Sequence, residues 1–425
     1  MLGEIGMSRE YKYDVAVVGG GPSGIAAAAG AAKSGAKTVL IERNPYLGGE
    51  ATNSGVAAFC GFYTCGGDPV KVVAGVGDQV LQELQKLGNT MNYIVSAAGN
   101  KNVNFKPEYL KCALDNLMDA EGVDCLMHAA LIGAKTEGNR ILSLQCVDDE
   151  GAFTVTAGCF VDCTGDANLV RLSGARTIWG DEEGNVQAAT LTFRLSGVDT
   201  SKPMTPNAVE KAVLQAKQEG IPYLTREKGF IQVVEDSDIV TVLLPSVIPK
   251  GLDARELTQL EKDGRRQVLS YVKALKKYMP GMEHCELALM GPSIGFRETR
   301  RMVGRETITA DDVLQRTKRP DGIGRGGWKP EIHKSLNKMA VYMDVENGSY
   351  FDIPLGALQS ADIENLYGAG RIVSSDVVGF AAVRVMGTCF ATGHAAGVAA
   401  AYQAANGQAD ISKIRAELEK QGAIL

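Results

Sequence analysis

The strongest constraint on how this chain can fold is a six-residue turn, Gly19-Gly20-Gly21-Pro22-Ser23-Gly24, set between a β-branched run and an alanine-rich one. Residues 14–18 have the composition of a buried strand. Residues 25–34 read as a helix stopped by Gly35, and residues 37–41 as a second strand ending at Glu42. Strand, turn, helix and strand in that order make one βαβ unit with a right-handed crossover. Gly19, Gly21 and Gly24 spell G-x-G-x-x-G, which occurs by chance in a chain with 50 glycines but gains meaning from its place between a strand and a helix. The first glycine permits a tight turn, the second lets the backbone approach a pyrophosphate, and the third lets helix and strand pack closely. The phosphates would lie over Pro22 and Ser23 at the helix N-terminus, where unpaired N–H groups and the dipole favour negative charge. Glu42 is placed to accept from ribose hydroxyls. The unit implies a dinucleotide and leaves NAD and FAD undistinguished.

At 425 residues the chain exceeds the roughly 100–200 of one domain and suits two intertwined lobes. Hydrophobic residues at 45% and charged ones at 22% are those of an ordinary globular protein. A formal charge of −6 gives no basic stripe, so no nucleic-acid partner is expected. The nine cysteines are scattered with no Cys-x-x-Cys, which argues against a disulfide framework and a metal site and for a reducing, cytoplasmic setting. Residues 1–12 carry Glu4, Arg9 and Glu10 and no apolar run, so no secretory leader is expected, and Met7 could be an alternative start. Residues 383–405 are apolar but interrupted by Arg384 and His394, and read as a buried helix rather than a membrane span.

Apolar residues recur at helical spacing in 69–87 (Val76, Val80, Leu84, Leu87) and 107–120. Residues 124–156 read as a small antiparallel meander with turns at 136–139 and 148–151. Residues 160–163 then return the chain to the parallel sheet. The stretch 177–352 holds strands (191–195, 231–234, 239–244) and a long helix (257–278), and 365–369 and 386–405 are the last core strand and helix. The expected fold is α/β: a Rossmann-type domain with a parallel central sheet and a small antiparallel meander, formed by 1–176 and a return segment 353–425, plus an α+β substrate lobe over 177–352.

Glu42-Arg43 is followed by Leu47-Gly48-Gly49-Glu50-Ala51-Thr52-Asn53-Ser54-Gly55, and far downstream come Asp162-Cys163-Thr164-Gly165-Asp166-Ala167 and Asn365-Leu366-Tyr367-Gly368-Ala369-Gly370-Arg371. Together these resemble the glutathione-reductase-type flavoproteins, most closely the FAD-dependent oxidoreductases related to the fumarate reductase and succinate dehydrogenase flavoproteins. Gly295-Phe296-Arg297-Glu298-Thr299-Arg300-Arg301, Tyr350-Phe351-Asp352-Ile353-Pro354, Arg384-Val385-Met386-Gly387-Thr388 and Gly393-His394-Ala395-Ala396-Gly397 extend the likeness over nearly the whole chain. The resemblance implies FAD, with Arg43 beside Glu42 in its site. Gly49, Glu50, Ala51 and Thr52 would lie along its ribityl and isoalloxazine side, and a backbone group near Leu131 would meet adenine. Thr164, Gly165 and Asp166 would pass close to the dinucleotide. Gly370, Arg371 and Asp376 would approach the ribityl and pyrophosphate, and Gly387 and Thr388 the flavin pyrimidine edge. The loop after Glu42 lacks the histidine that some relatives join to flavin, so the FAD is expected to be non-covalent. Cys60 and Cys65 have the Cys-x4-Cys spacing of disulfide reductases, but Gly61-Phe62-Tyr63-Thr64 departs from that pattern, and two ordinary buried thiols are expected.

In this family hydride passes to or from flavin N5, so the protein need only hold the substrate and handle a proton. Of four histidines, His333 stands out because Trp328-Lys329-Pro330-Glu331-Ile332-His333 resembles a segment that reaches the active site, while His394 reads as packed. Arginine grips carboxylates through two donors. In the fumarate reductase relatives arginines bind the substrate carboxylates and one delivers a proton, which makes Arg297, Arg300 and Arg384 the candidates here. On a helix, with Glu298 and Glu306 nearby, the same run would be a solvated face. The expected activity is oxidation or reduction of a small polar metabolite, with or without a carboxylate. A flavin monooxygenase, whose Asp-Gly motif is missing, and a non-catalytic regulatory flavoprotein stand as alternatives. No second full G-x-G-x-x-G is present, so electrons would come from a partner protein, a quinone or a second substrate.

Overall fold

The computed structural model describes residues 9–89, 93–95, 99–234 and 236–425. Glu4 and Met7 lie outside them. A five-stranded parallel sheet organises the molecule: β1 (Val15–Val18), β2 (Thr38–Ile41), β3 (Asp124–Leu126), β4 (Cys159–Asp162) and β5 (Leu366–Gly368), in the spatial order β5-β4-β1-β2-β3. Central strands covered on both faces must be apolar throughout, and Val15–Val18 and Thr38–Ile41 are buried at every position. The helix between them, α1 (Pro22–Lys33), starts three residues earlier than the sequence reading placed it, because Pro22 occupies the first turn, where no N–H partner is needed.

Against α1 packs the last core helix, α3 (Met386–Asn406), so closely that the backbones touch. A Cβ at Gly393 would sit 2.1 Å from the Ser23 carbonyl, and one at Gly397 2.0 Å from that of Ala27. The alanine and glycine content of both helices thus reflects a helix crossing that larger side chains would prop apart. No single helix among the described residues is long and apolar enough to cross a membrane. Val377–Val383 and Met386–Asn406 meet that joint requirement of length and hydropathy only together, across a 94° bend.

The other sheet face is covered by a four-stranded sheet of Arg9–Lys12, Ala130–Glu137, Arg140–Asp148 and Gly151–Thr156, with Phe153, Val155 and Leu144 packed against Ala16, Val18 and Phe160. Two differences from the sequence reading follow. Asp124–Leu126 leaves the meander to become the edge strand of the parallel sheet, its register being set by Val39–Ile41. The helix read over 69–87 is confined to Val76–Lys86, preceded by a loop in which the Val72 N–H donates to the Phe62 carbonyl at 2.8 Å.

The second lobe is an antiparallel sheet of Phe193–Ser196, Phe230–Val233, Val240–Leu243 and Glu286–Met290 under Pro206–Gln218 and α2 (Ala254–Tyr278). Asp253 caps α2 by accepting from the Arg255 and Glu256 N–H groups. Its core runs from Ala189 to Ile294, whereas Ile308, Val313, Ile323 and Phe351 pack in the core of the first lobe.

Candidate functional site

A cleft of about 640 Å³ opens along the carboxyl ends of β1, β2 and β4, where open α/β sheets receive ligands. Its floor is the glycine turn. Gly19 has φ +98° and a Cβ there would lie 2.5 Å from the Cys163 carbonyl, so the turn is wedged against β4. A Cβ at Gly24 would lie 1.7 Å from the Gly19 carbonyl, which fixes how closely α1 follows the strand. At Gly21 the nearest described atom would be 3.7 Å away, on the cleft side of the loop at Gly49. No side chain caps α1, so its first N–H groups are free to meet phosphate, with Pro22 and Ser23 on the cleft wall.

The Glu42 carboxylate accepts from the Gly20 N–H at 2.6 Å and from the Asn44 N–H and side-chain amide at 2.9 and 2.8 Å. About one of its four acceptor positions remains for a ribose hydroxyl. Arg43 and Asn44 line the cleft beside it. Across the cleft, Asp166 accepts from Thr299 at 2.8 Å and Arg371 at 3.0 Å, and Thr164 and Gly165 complete that wall. Burial raises the Glu50 carboxyl above the usual range, with Arg371 3.9 Å away pulling it down. Glu50 also accepts from Ser54 and the Phe296 N–H, so it ties the Gly49 loop to the second lobe.

Several expected cofactor residues stand behind this wall rather than on it. Gly24, Ala51 and Thr52 are buried, and the Thr52 hydroxyl donates to the Leu47 carbonyl at 2.7 Å, shaping the loop. Asp376 caps Val377–Val383 and accepts from Gly379 and Ala310. Leu131 is half-buried in Ala130–Glu137, outside the cleft lining. Gly370 packs on Ser23 with φ +75°, and Gly387 donates its N–H to the Cys60 carbonyl at 2.7 Å. Two buried polar groups, Arg371 Nη1 and the Thr388 hydroxyl, find no hydrogen-bond partner among the described residues. Buried donors are rarely left so, and a dinucleotide supplies the acceptors they lack. The residues present fit FAD.

Beside the Arg384 and Met386 end of the cleft lies a cluster of largely buried polar side chains, the inner chamber, of which Arg384 reaches the cleft lining. Arg384 donates to the Glu331 carbonyl at 2.9 Å and to Gln187 Oε1 at 3.4 Å, with the Glu331 carboxylate 3.8 Å away. Arg297 donates to the Ala188 carbonyl at 2.6 Å and Thr190 at 2.9 Å. Its guanidinium is pushed down to about 9 by burial and by Arg226 and Arg384. Arg226, 4% exposed, comes from the second lobe and donates to Ser246 at 3.2 Å. Burial would raise the Glu331 carboxyl, but His333, Arg384 and Arg297 hold it below the usual range and therefore ionised. Burial, with Arg297, pushes His333 down to about 3 and keeps it neutral. Arg226 Nε, Arg384 Nε, Gln187 Nε2 and His333 Nδ1 find no partner among the described residues.

The structure thus brings Arg297, Arg384 and His333 together and sets Arg300 apart. Arg300 donates to the Asp166 carbonyl at 2.8 Å and Asn168 at 2.7 Å on the dinucleotide wall. The arginine run is not helical: Arg300–Met302 is a strand paired with Thr177–Trp179. Arg301 is spent on a buried pair with Glu298 and on the Gly180 carbonyl. Arg226, Gln187 and Tyr342, whose hydroxyl donates to Glu331 at 2.8 Å, carried no local signal in the sequence. Cys60 and Cys65 sit with Trp328 and Val385, and burial raises both thiols, as expected of inert packing cysteines. Among the described residues no group of three His, Cys, Asp or Glu side chains could hold a metal ion.

The family described as FAD dependent oxidoreductase matches residues 14–421. A geranylgeranyl bacteriochlorophyll reductase-like protein from Thermoplasma acidophilum shares the fold, with 15% identity, 98% of this chain and 85% of that one covered, and a TM-score of 0.50. The L-proline dehydrogenase from P. horikoshii is 10% identical over 98% of this chain and all of its own, with a TM-score of 0.47. The soluble pyridine nucleotide transhydrogenase of Ectopseudomonas mendocina is 47% identical over 45 residues, a match spanning 11% of this chain and 10% of that protein. With the family covering nearly the whole chain, the protein belongs to the FAD-dependent oxidoreductases and is an enzyme with FAD as its cofactor.

Proposed function

We propose that the enzyme oxidises or reduces a small carboxylated metabolite, its carboxylate held by Arg226, Arg297 and Arg384 and its proton handled by His333. The observation that carries this reading is the charge of the inner chamber. One buried guanidinium, Arg226, and two half-buried ones, Arg297 and Arg384, surround the ionised carboxylate of Glu331, with Glu50 adding to the negative field at Arg297 and Glu298 already taken by Arg301. Uncompensated buried charge costs several kcal/mol per ion, and an anion entering the chamber offsets that cost. The unpartnered Nε atoms of Arg226 and Arg384 and the Gln187 amide are donors of the kind a carboxylate satisfies.

Bound FAD supplies hydride chemistry. Gly21, Pro22 and Ser23 would hold its pyrophosphate, Glu42 its ribose, and Asp166 and Arg371 the opposite wall, while Arg300 braces that wall rather than the substrate. Arg297 and Arg384 orient the substrate, and the second lobe, through Arg226 and Phe296, closes over it and excludes water. Electrons are exchanged with a separate donor or acceptor. The nine free thiols suit a reducing cytoplasm.

The test is an anaerobic titration of the FAD-loaded protein with acetate, malonate, succinate and 2-hydroxy acids, followed by flavin absorbance. Wild type responds to at least one of them, and Arg226→Met and Arg297→Met, with FAD retained, lose the response. A wild-type spectrum indifferent to every carboxylate would refute the proposal.

A further inference from the structure

We propose that Glu331 and Tyr342 are positioning residues that lock the His333 imidazole with its hydrogen on Nε2, leaving Nδ1 as the bare nitrogen that exchanges a proton with the substrate. The inference rests on the reading of His333 as the proton carrier and adds the device that prepares it.

The device is a short hairpin in which Glu331–Ile332 pairs with Val341–Tyr342, setting Glu331 opposite Tyr342. Glu331 Oε1 accepts from the Tyr342 hydroxyl at 2.8 Å and lies 3.1 Å from His333 Nε2. The ring is also fixed through its backbone. The His333 N–H donates to Gln187 Oε1 at 3.1 Å, and its carbonyl accepts from the Ala188 N–H at 3.0 Å. An ionised carboxylate accepts and cannot donate, so the nitrogen facing Glu331 has to carry the hydrogen. The other nitrogen, Nδ1, then presents a lone pair, and it is the buried ring atom with no partner among the described residues.

The groups around the ring explain why this base would work only on a bound substrate. Arg297 and Arg384 repel a proton on it, with Arg226 adding to the field at Arg297, while Glu331 attracts one. Tyr342 and Cys60 stay neutral, pushed up by burial and by Glu331. A substrate carboxylate on the arginines cancels much of the repulsion and leaves Glu331 to stabilise the imidazolium. In the oxidising direction the proton of a substrate O–H or N–H passes to Nδ1 as the adjacent C–H is oxidised, FAD being the oxidant. In the reducing direction Nδ1 returns it.

The tautomer can be read without turnover. The FAD-loaded protein, labelled with 15N-histidine, is followed by long-range 1H–15N spectra between pH 5 and 8, with the His333 signal identified by its loss in His333→Asn. Wild type shows hydrogen on Nε2 and a bare Nδ1. In Glu331→Gln, whose amide can donate as well as accept, the ratio of the Nε2–H to the Nδ1–H form falls by about 10- to 100-fold, the bias of one charge-assisted hydrogen bond. Glu331→Asp, which keeps an ionised acceptor, restores it. Flavin absorbance reports that each variant still binds FAD. A wild-type Nδ1–H tautomer, or a Glu331→Gln spectrum like that of wild type, overturns the proposal. Because no substrate is present, that outcome is separate from a failure of the carboxylate titration.

Discussion

Substituting alanine at Gly24 and at Gly21 separates the two things the glycine turn does. At Gly24 a Cβ would lie 1.7 Å from the Gly19 carbonyl, and real Cβ atoms essentially never come within 3.0 Å of another heavy atom. The turn cannot retreat, because Gly19 is already wedged with its own Cβ position 2.5 Å from the Cys163 carbonyl on β4. The N-terminus of α1 therefore has to move by at least 1.3 Å, the difference between 3.0 and 1.7 Å. Overpacking of this kind costs about 1–3 kcal/mol. Alanine's better helix propensity returns about 1 kcal/mol, so the net loss of stability is up to ~2 kcal/mol. The same shift pulls the free N–H groups off the phosphates. Losing one charge-assisted hydrogen bond, worth about 1.5–3 kcal/mol, weakens FAD roughly 10- to 100-fold. At Gly21 the backbone is extended, φ −73° and ψ −178°, and the nearest described atom to a Cβ is 3.7 Å away. The apoprotein of Gly21→Ala should be as stable as wild type or about 0.4–1 kcal/mol more so, yet bind FAD poorly, because the new methyl group occupies the phosphate side. Thermal unfolding of the two apoproteins and FAD titration by fluorescence quenching read both quantities. If Gly24→Ala keeps wild-type Tm and FAD affinity, or Gly21→Ala destabilises the apoprotein as much as Gly24→Ala, the division of roles is wrong.

Arg301→Met strands the buried Glu298 carboxylate and should cost about 3–5 kcal/mol in urea unfolding, most of it recovered in Arg301→Met/Glu298→Gln. Arg300→Ala should loosen FAD by roughly tenfold, about one charge-assisted hydrogen bond, while the flavin still responds to carboxylates as in wild type. Burial holds His394 down to about 4 in the folded chain against 6.5 unfolded. The native state thus binds fewer protons than the unfolded one between those values, and stability falls as pH drops from 6.5 to 4. That acid slope should be shallower in His394→Gln, as measured by urea midpoints across that range. An equal slope in both would place the titrating group elsewhere.

What could be read in advance follows the range of the interactions involved. The βαβ unit is specified by neighbours in sequence, so the strand at 15–18, the turn and the helix at 22–33 were legible to within a few residues. The edge strand Asp124–Leu126 was not, since three residues before a meander carry no period that tells parallel from antiparallel pairing. Glu42 was legible from its distance to the turn, but its bond to the Gly20 N–H was not, because that contact is made by the turn folding back across the end of β2.

The inner chamber shows the limit most sharply, because its charge is a sum over segments that meet only in three dimensions. Arg226 comes from the second lobe, Arg297 from the crossing back to the first, Glu331 and His333 from a hairpin, and Arg384 from the bend before α3. The basic run at 297–301 supplies only Arg297 of them, so it does not foretell the sum. The same reasoning explains why Arg297 and Arg300, three residues apart, part company. On a helix that spacing would put them on one face. Here the chain bends at Arg297 and again at Thr299 before it enters the strand Arg300–Met302, so no helical face holds the two side chains together. Arg300 then reaches the dinucleotide wall and Arg297 the chamber. Two bends and one short strand thereby split a basic run into a residue that braces the cofactor site and a residue available to an anionic substrate.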